Sequence, residues 1–118
     1  MSTTSVNFIV KNIFIEENGK EYSILIGKNA YGNEEIIKNS HPNSLWFHLS
    51  KLSSSHIILQ SNGDRIPKRY INQVAGMLFD YKNNIPKNSS VIYTQVKNVK
   101  LSNILGNVIP KNTSIIKF

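Results

Sequence analysis

Apolar and polar positions alternate along VNFIVKNIFI (6–15) and again along EYSILIGKN (21–29), the period-two pattern of strands with one face buried. Between them EENGK carries Asn18-Gly19, which suits a type I′ turn, so the two runs are predicted to form a β-hairpin. GNEEIIKNSHP reads as a short helix, with Asn33 as its cap, Glu34 and Glu35 in the positive first turn and Pro42 beyond its end. LWFHLS and SHIILQS predict two more strands, joined by a tight loop around Leu52 and Ser53. Pro67 fits a helix's first turn, and KRYINQVAGMLFDYKNN after it sets Ile71, Val74, Leu78 and Tyr81 on one face. This is the main helix, and NNIP stops it. VIYTQVKNVKL is a strand whose alternation slips near Gln95, where a bulge or break is expected. GNVIPKNTSIIKF then supplies two short strands about a turn at Pro110-Lys111-Asn112-Thr113. The expected fold class is α+β: a mostly antiparallel sheet packed by one face against one main helix, with a second short helix. No repeat, heptad pattern, linker or low-complexity segment breaks the chain, so residues 1–118 are read as one domain, with 1–5 expected to be flexible.

Composition narrows the class. A chain of 118 residues has room for one hydrophobic core, and 40% apolar residues with mixed polar spacing places it among soluble globular proteins. No apolar run approaches the roughly 20 residues that span a bilayer, and MSTTSVNFIVKN has no basic segment followed by a long apolar block. A cytoplasmic protein is expected. The absence of cysteine excludes disulfides and thiolate metal sites. Charge says more. The formal net charge is +7, and it is unevenly distributed: residues 1–35 carry a balance of −2, and residues 36–118 one of +9 with Asp64 and Asp80 as their only acids. A basic surface of this kind attracts polyanions, because each neutralised phosphate releases condensed counterions. Nucleic acid is the leading partner class; an anionic membrane face or an acidic protein is the other.

The candidate chemistry is sparse. Gly27-Lys28-Asn29 follows a strand but lacks the glycine spacing of a P-loop or a dinucleotide fingerprint. It is either a strand-ending turn or a glycine that lets Lys28 and backbone amides approach a phosphate. Seven acids, five of them near the amino end, form no Asp-x-Asp or His-Glu-x-x-His grouping, which counts against a two-metal nuclease; no metal and no cofactor is expected. LWFHLSKLSSSHIILQ (45–60) holds the single tryptophan and two of the three histidines. If its two strands pair about Leu52, His48 faces His56 and Trp46 faces Ile58, with opposed Cβ atoms about 5 Å apart. Such a pair could work as acid and base in metal-free phosphodiester cleavage, since imidazole titrates near neutral pH. His48-Leu49-Ser50 matches half of a two-histidine phosphoesterase pattern; His56-Ile57-Ile58 does not match the other half. The alternatives are a bracing pair beneath Trp46, or a binding face on which Trp46 stacks a base and the histidines meet phosphate or sugar.

Taken in order, GKNAYGNEE, LWFHLSKLSSSHIIL, the helix with Val74-Ala75, VIYTQVKNVK and the late Gly106-Asn107-Val108 resemble the NFACT-R domain. That is the RNA-binding module of the RqcH, NEMF and fibronectin-binding-protein family of ribosome-associated quality control. The likeness runs from about Tyr22 to the end and centres on Trp46, Phe47, His48, Ser55 and His56. Lys28, Asn29 and Asn33 match the early part of the pattern, and Tyr93, Thr94, Lys97 and Lys100 its late basic strand. Two departures stand out: Ser54-Ser55-His56 where Gly-Ser-His is usual, and Val74-Ala75 for an Ala-Ala pair. The resemblance covers this module alone. It implies a free-standing, non-catalytic RNA-binding domain, with transfer RNA, ribosomal RNA or the ribosome as partner and DNA not excluded. Its implied nucleic-acid contacts are Lys28, Asn29, Trp46, His48, Ser55, His56, Lys97 and Lys100, with Lys68 and Arg69 at the main helix's start added on charge. A histidine-dependent ribonuclease and a ribosome-docking adaptor are the competing functions.

Overall fold

The computed structural model describes residues 6–118; the expectation of flexibility for 1–5 lies outside them. Strands β1 (Phe8–Ile15) and β2 (Lys20–Gly27) form the predicted hairpin, paired from Phe8 with Gly27 to Ile15 with Lys20. Its turn is fixed by Gly19 at φ +70° and by Asn18, whose Oδ1 accepts from the Lys20 amide at 2.9 Å. Helix α1 (Ala30–Lys38) follows, then β3 (Leu45–Leu49) and β4 (Ile57–Leu59), helix α2 (Lys68–Gly76) and a 3-10 segment, Met77–Tyr81. β5 (Ser90–Gln95) ends in a 3-10 turn, Val96–Asn98, before β6 (Val99–Leu101), β7 (Val108–Pro110) and β8 (Ser114–Lys117).

Six strands make one antiparallel sheet in the order β1-β2-β4-β3-β5-β8, and β6 with β7 makes a separate ribbon. The fold class is α+β, as the strand and helix pattern predicts. One face packs against the main helix as expected, and the other face is covered as well. Alternate residues sort cleanly: Ile24, Ile26, Phe47, Leu49, Ile57, Leu59 and Val91 face α2 through Tyr70, Val74, Ala75 and Leu78. Their neighbours Trp46 and Ile58 face the other way, against Ile36 and Ile37 of α1 and Val96 and Val99 leading into the ribbon. A strand buried on both faces reads as a continuous apolar run, which is what HIILQ shows.

Three local expectations need correction. α1 starts at Ala30, because Asn29 rather than Asn33 caps it, its Oδ1 accepting from the Gly32 amide at 2.9 Å; Glu34 and Glu35 therefore lie beyond the first turn. The connection between β3 and β4 is not a tight loop; it runs from 50 to 56, with Lys51 at φ +66°. The main helix keeps α geometry only to Gly76, Pro67 caps it instead of lying in its first turn, and Tyr70 and Ala75 join Val74 and Leu78 in its buried face while Ile71 and Tyr81 sit at the margin. The two closing strands lie on either side of the expected turn, β7 joining β6 and β8 joining β5. The break foreseen near Gln95 is where the chain leaves the sheet to build that ribbon. No helix among the described residues is long and apolar enough to cross a membrane.

Candidate nucleic-acid interface

β3 and β4 pair Trp46 with Ile58 and Phe47 with Ile57, so one further step along the same register sets His48 opposite His56. Both histidines lie on the α1 face of the sheet, their ring centroids 4.9 Å apart and their planes 88° to each other. Trp46 ties them together: its ring lies nearly parallel to His48, 8° apart in plane and 5.7 Å between centroids, and edge-on to His56 at 5.5 Å. The indole Nε1–H donates to His56 Nδ1 at 3.1 Å.

That bond decides the protonation of His56. A nitrogen that accepts from indole carries no hydrogen, so in the neutral ring the proton sits on Nε2. His56 is 2% exposed, and burial, reinforced by the neighbouring His48, pushes its pKa down to about 3. It stays neutral through the physiological range. His48 holds the opposite tautomer: its Nδ1 lies 2.6 Å from the Leu49 carbonyl, which can only accept, so Nδ1 donates and Nε2 keeps its lone pair. Burial lowers the His48 pKa as well, against the bond to Leu49 that favours the charged ring.

The pair opens into a cleft of about 320 Å³ at the end of the sheet. Its walls come from four separated segments: Gly27 to Ala30 with Asn33, Ser53 to His56 beside His48, Tyr81 and Lys82 at the end of the 3-10 segment, and Leu105 to Asn107 at the ribbon's tip. Three of these walls have a specific anchor. Asn33 Oδ1 accepts from the His56 amide at 3.1 Å, and a Cβ on Gly27 would fall 1.9 Å from that oxygen. Only glycine fits there. Ser54 Oγ accepts from the Leu49 amide at 3.1 Å, which shapes the serine loop. The ribbon tip is held to α1 by the Gly106 amide, which donates to Glu34 Oε2 at 3.0 Å, and Gly106 itself is at φ +81° against Ala30.

Of the residues singled out from sequence, Lys28, Asn29, His48, Ser55 and His56 are brought together around this cleft. The Asn29 amide is already committed, capping α1 and donating to Asn7 Oδ1 at 3.1 Å. Trp46 is 1% exposed, so its ring has no free face for a base and its role is the brace. Lys68 and Arg69 are elsewhere, outside the cleft. Arg69 holds Glu17 at 3.0 Å and the Tyr70 hydroxyl at 2.7 Å, and Lys68 lies over the Tyr93 ring, donating to its hydroxyl at 3.2 Å. Lys97 and Lys100 are exposed on the 3-10 turn and β6, outside the cleft. Lys82 and Asn107 line the cleft without having been foreseen as site residues; the Gly106-Asn107 signal was present, while nothing in the 3.6-residue pattern marked Lys82. Neither Lys28 nor Lys82 has an acidic side chain within ion-pair distance among the described residues.

Comparison with known proteins bears on what this arrangement serves. Residues 10–117 match the family model of the NFACT protein RNA-binding domain. Coiled-coil domain-containing protein 25 of Mus musculus is 36% identical over 91 residues, covering 70% of this chain and 43% of that protein. The Danio rerio protein of that name is 34% identical over 88 residues, covering 67% and 41%. The chain thus spans less than half the length of these relatives. In fold it is similar to the C-terminal part of the fibronectin/fibrinogen-binding protein of Streptococcus suis, with a TM-score of 0.74 over 99% of this chain and 46% of that one at 19% identity. By its match to the family model over residues 10–117, this chain belongs to the NFACT protein RNA-binding domain family.

Proposed function

We propose that the domain binds RNA without catalysing a reaction on it, and that the cleft around His48 and His56 is the centre of the interface. The observation that carries this reading is the convergence of Lys28, His48, Ser55 and His56 on one cleft from segments far apart in sequence, within a family of RNA-binding domains. The net charge of +7 supplies long-range attraction to phosphate, with Lys28 and Lys82 at the cleft and Lys97 and Lys100 as outlying contacts. Transfer or ribosomal RNA, in translation or ribosome-associated quality control, is the partner class we favour.

The histidine geometry speaks against the ribonuclease reading. A general acid must carry its proton near the working pH, and a ring with a pKa of about 3 does not. Its other nitrogen is occupied by the Trp46 indole and is no free base. The test is equilibrium binding of a transfer RNA across a salt series. Affinity should fall log-linearly with salt, with a slope reflecting several phosphate contacts, and the RNA should remain intact. Absence of binding at every salt concentration, or metal-free cleavage abolished by His48→Ala, would overturn the proposal.

A further inference from the structure

The cleft is lined by a ring with a polar atom that has no partner among the described residues. His56 is almost wholly buried, its Nδ1 is spent on Trp46, and its Nε2–H has no protein partner among the described residues. No sealed side-chain nitrogen or oxygen among them lacks a partner, so this donor is open to solvent on a ring that lines the cleft. Beside it stands His48, half-buried, whose Nδ1 is spent on Leu49 and whose Nε2 keeps a lone pair. The cleft floor therefore presents one donor and one acceptor on rings whose centroids are 4.9 Å apart, both fixed in tautomer by their second nitrogen.

This pairing does not suit a phosphate. Phosphodiester oxygens only accept, so the lone pair of His48 would repel them, and burial withholds the positive charge that would turn both rings into donors. A nucleobase edge is different. Each of the four bases carries a donor and an acceptor side by side on its Watson–Crick edge, and in a duplex those atoms are consumed by pairing. We propose that the cleft takes a single unpaired nucleobase, its Watson–Crick edge held between His56 Nε2–H and His48 Nε2, while Lys28 and Lys82 meet the phosphates on either side. A volume of about 320 Å³ suits one nucleotide, and the ribbon tip at Gly106 and Asn107, held to Glu34, forms one of its walls. The inference rests on the RNA-binding reading and adds what that reading leaves open: the domain selects single-stranded or flipped-out nucleotides, and it does so through bases.

The experiment is nitrogen-15 spectroscopy of the histidine side chains in the full chain. It is titrated separately with a short single-stranded RNA, a blunt RNA duplex of the same length and composition, and inorganic phosphate. The single strand should shift both Nε2 resonances, leave the Nδ1 resonances nearly in place, and bind about tenfold tighter than the duplex, the equivalent of one hydrogen bond gained or lost. His48→Ala should erase that preference, so that single strand and duplex bind alike. If phosphate shifts the Nε2 signals as the single strand does, the cleft is an anion site and the base-reading inference falls. If RNA binds with a steep salt slope but neither Nε2 moves, the inference falls and the RNA-binding proposal stands. If no RNA binds at any salt concentration, both fall.

Discussion

The indole of Trp46 donates to Nδ1 of His56 across 3.1 Å inside the layer between the sheet and α1, and through that bond a buried tryptophan sets which face of a histidine reaches the cleft. Phenylalanine at position 46 keeps most of the ring but removes the donor. Trp46→Phe should lose about 1–3 kcal/mol, the cost of stranding a buried acceptor, read as a shift in urea midpoint with unchanged slope. His56 would then be free to exchange tautomers, and RNA affinity should drop although no cleft residue has changed. Unaltered histidine nitrogen shifts in that variant would show that the indole does not set the tautomer.

Stability should depend on pH through His56, and the sign follows from linkage. Its folded pKa of about 3 lies below the ordinary histidine value near 6.5, so above pH 6.5 both states are neutral and the ring contributes nothing. As pH falls from 6.5 toward 3, the unfolded chain takes up a proton that the folded one refuses. Stability is then lost at about 1.4 kcal/mol per pH unit for this one group. Denaturant titrations of the wild type and His56→Gln at pH 7.5 and 5 should show a smaller acid loss in the variant. Equal losses in the two would place the acid sensitivity in other groups.

Gly27 is predicted to be irreplaceable for the cleft wall. An alanine Cβ would sit 1.9 Å from Asn33 Oδ1, the atom that accepts from the His56 amide, so Gly27→Ala must push that side chain away and strand a buried N–H. A loss of about 1–3 kcal/mol is expected, with weakened RNA binding. The double variant Gly27→Ala/Asn33→Ala relieves the clash, so the two changes should be clearly non-additive in denaturant titrations. Simple additivity would mean that the two residues do not act through each other.

Much of this was legible before the structure. Apolar runs, some alternating and some continuous, located every strand of the sheet, and the register of β3 with β4 about Leu52 correctly set His48 beside His56 and Trp46 beside Ile58, although the loop between them is longer than expected. Three things were not legible, each for a physical reason. Asn29 and Asn33 lie four residues apart and are equally good caps by type; the long-range claim of the His56 amide on Asn33 decided between them. The second covered face depends on β6 and β7 pairing away from the sheet, a contact between short segments whose alternation does not specify a partner. Lys82 follows a helix whose pattern fades at its 3-10 end, and it meets the cleft only through the path the chain takes beyond α2. The lysines and arginine named for charge alone could not be sorted, since sequence does not show which cations already have partners.

That sorting yields a last prediction. Arg69 is engaged by Glu17 and Tyr70 outside the cleft, whereas Lys28 and Lys82 line the cleft without an acidic partner among the described residues. If RNA follows the cleft, Lys28→Ala and Lys82→Ala should each flatten the log–log salt dependence of binding by about one unit, while Arg69→Ala leaves the slope unchanged and lowers only the thermal midpoint. Lys97→Ala and Lys100→Ala extend the same measurement to the outer ribbon. A flattened slope in either carries the RNA path from the cleft across β6; no change in both confines it to the end of the sheet. A flattened slope for Arg69→Ala with Lys28→Ala unaffected would move the interface to the start of α2 and remove the cleft from it.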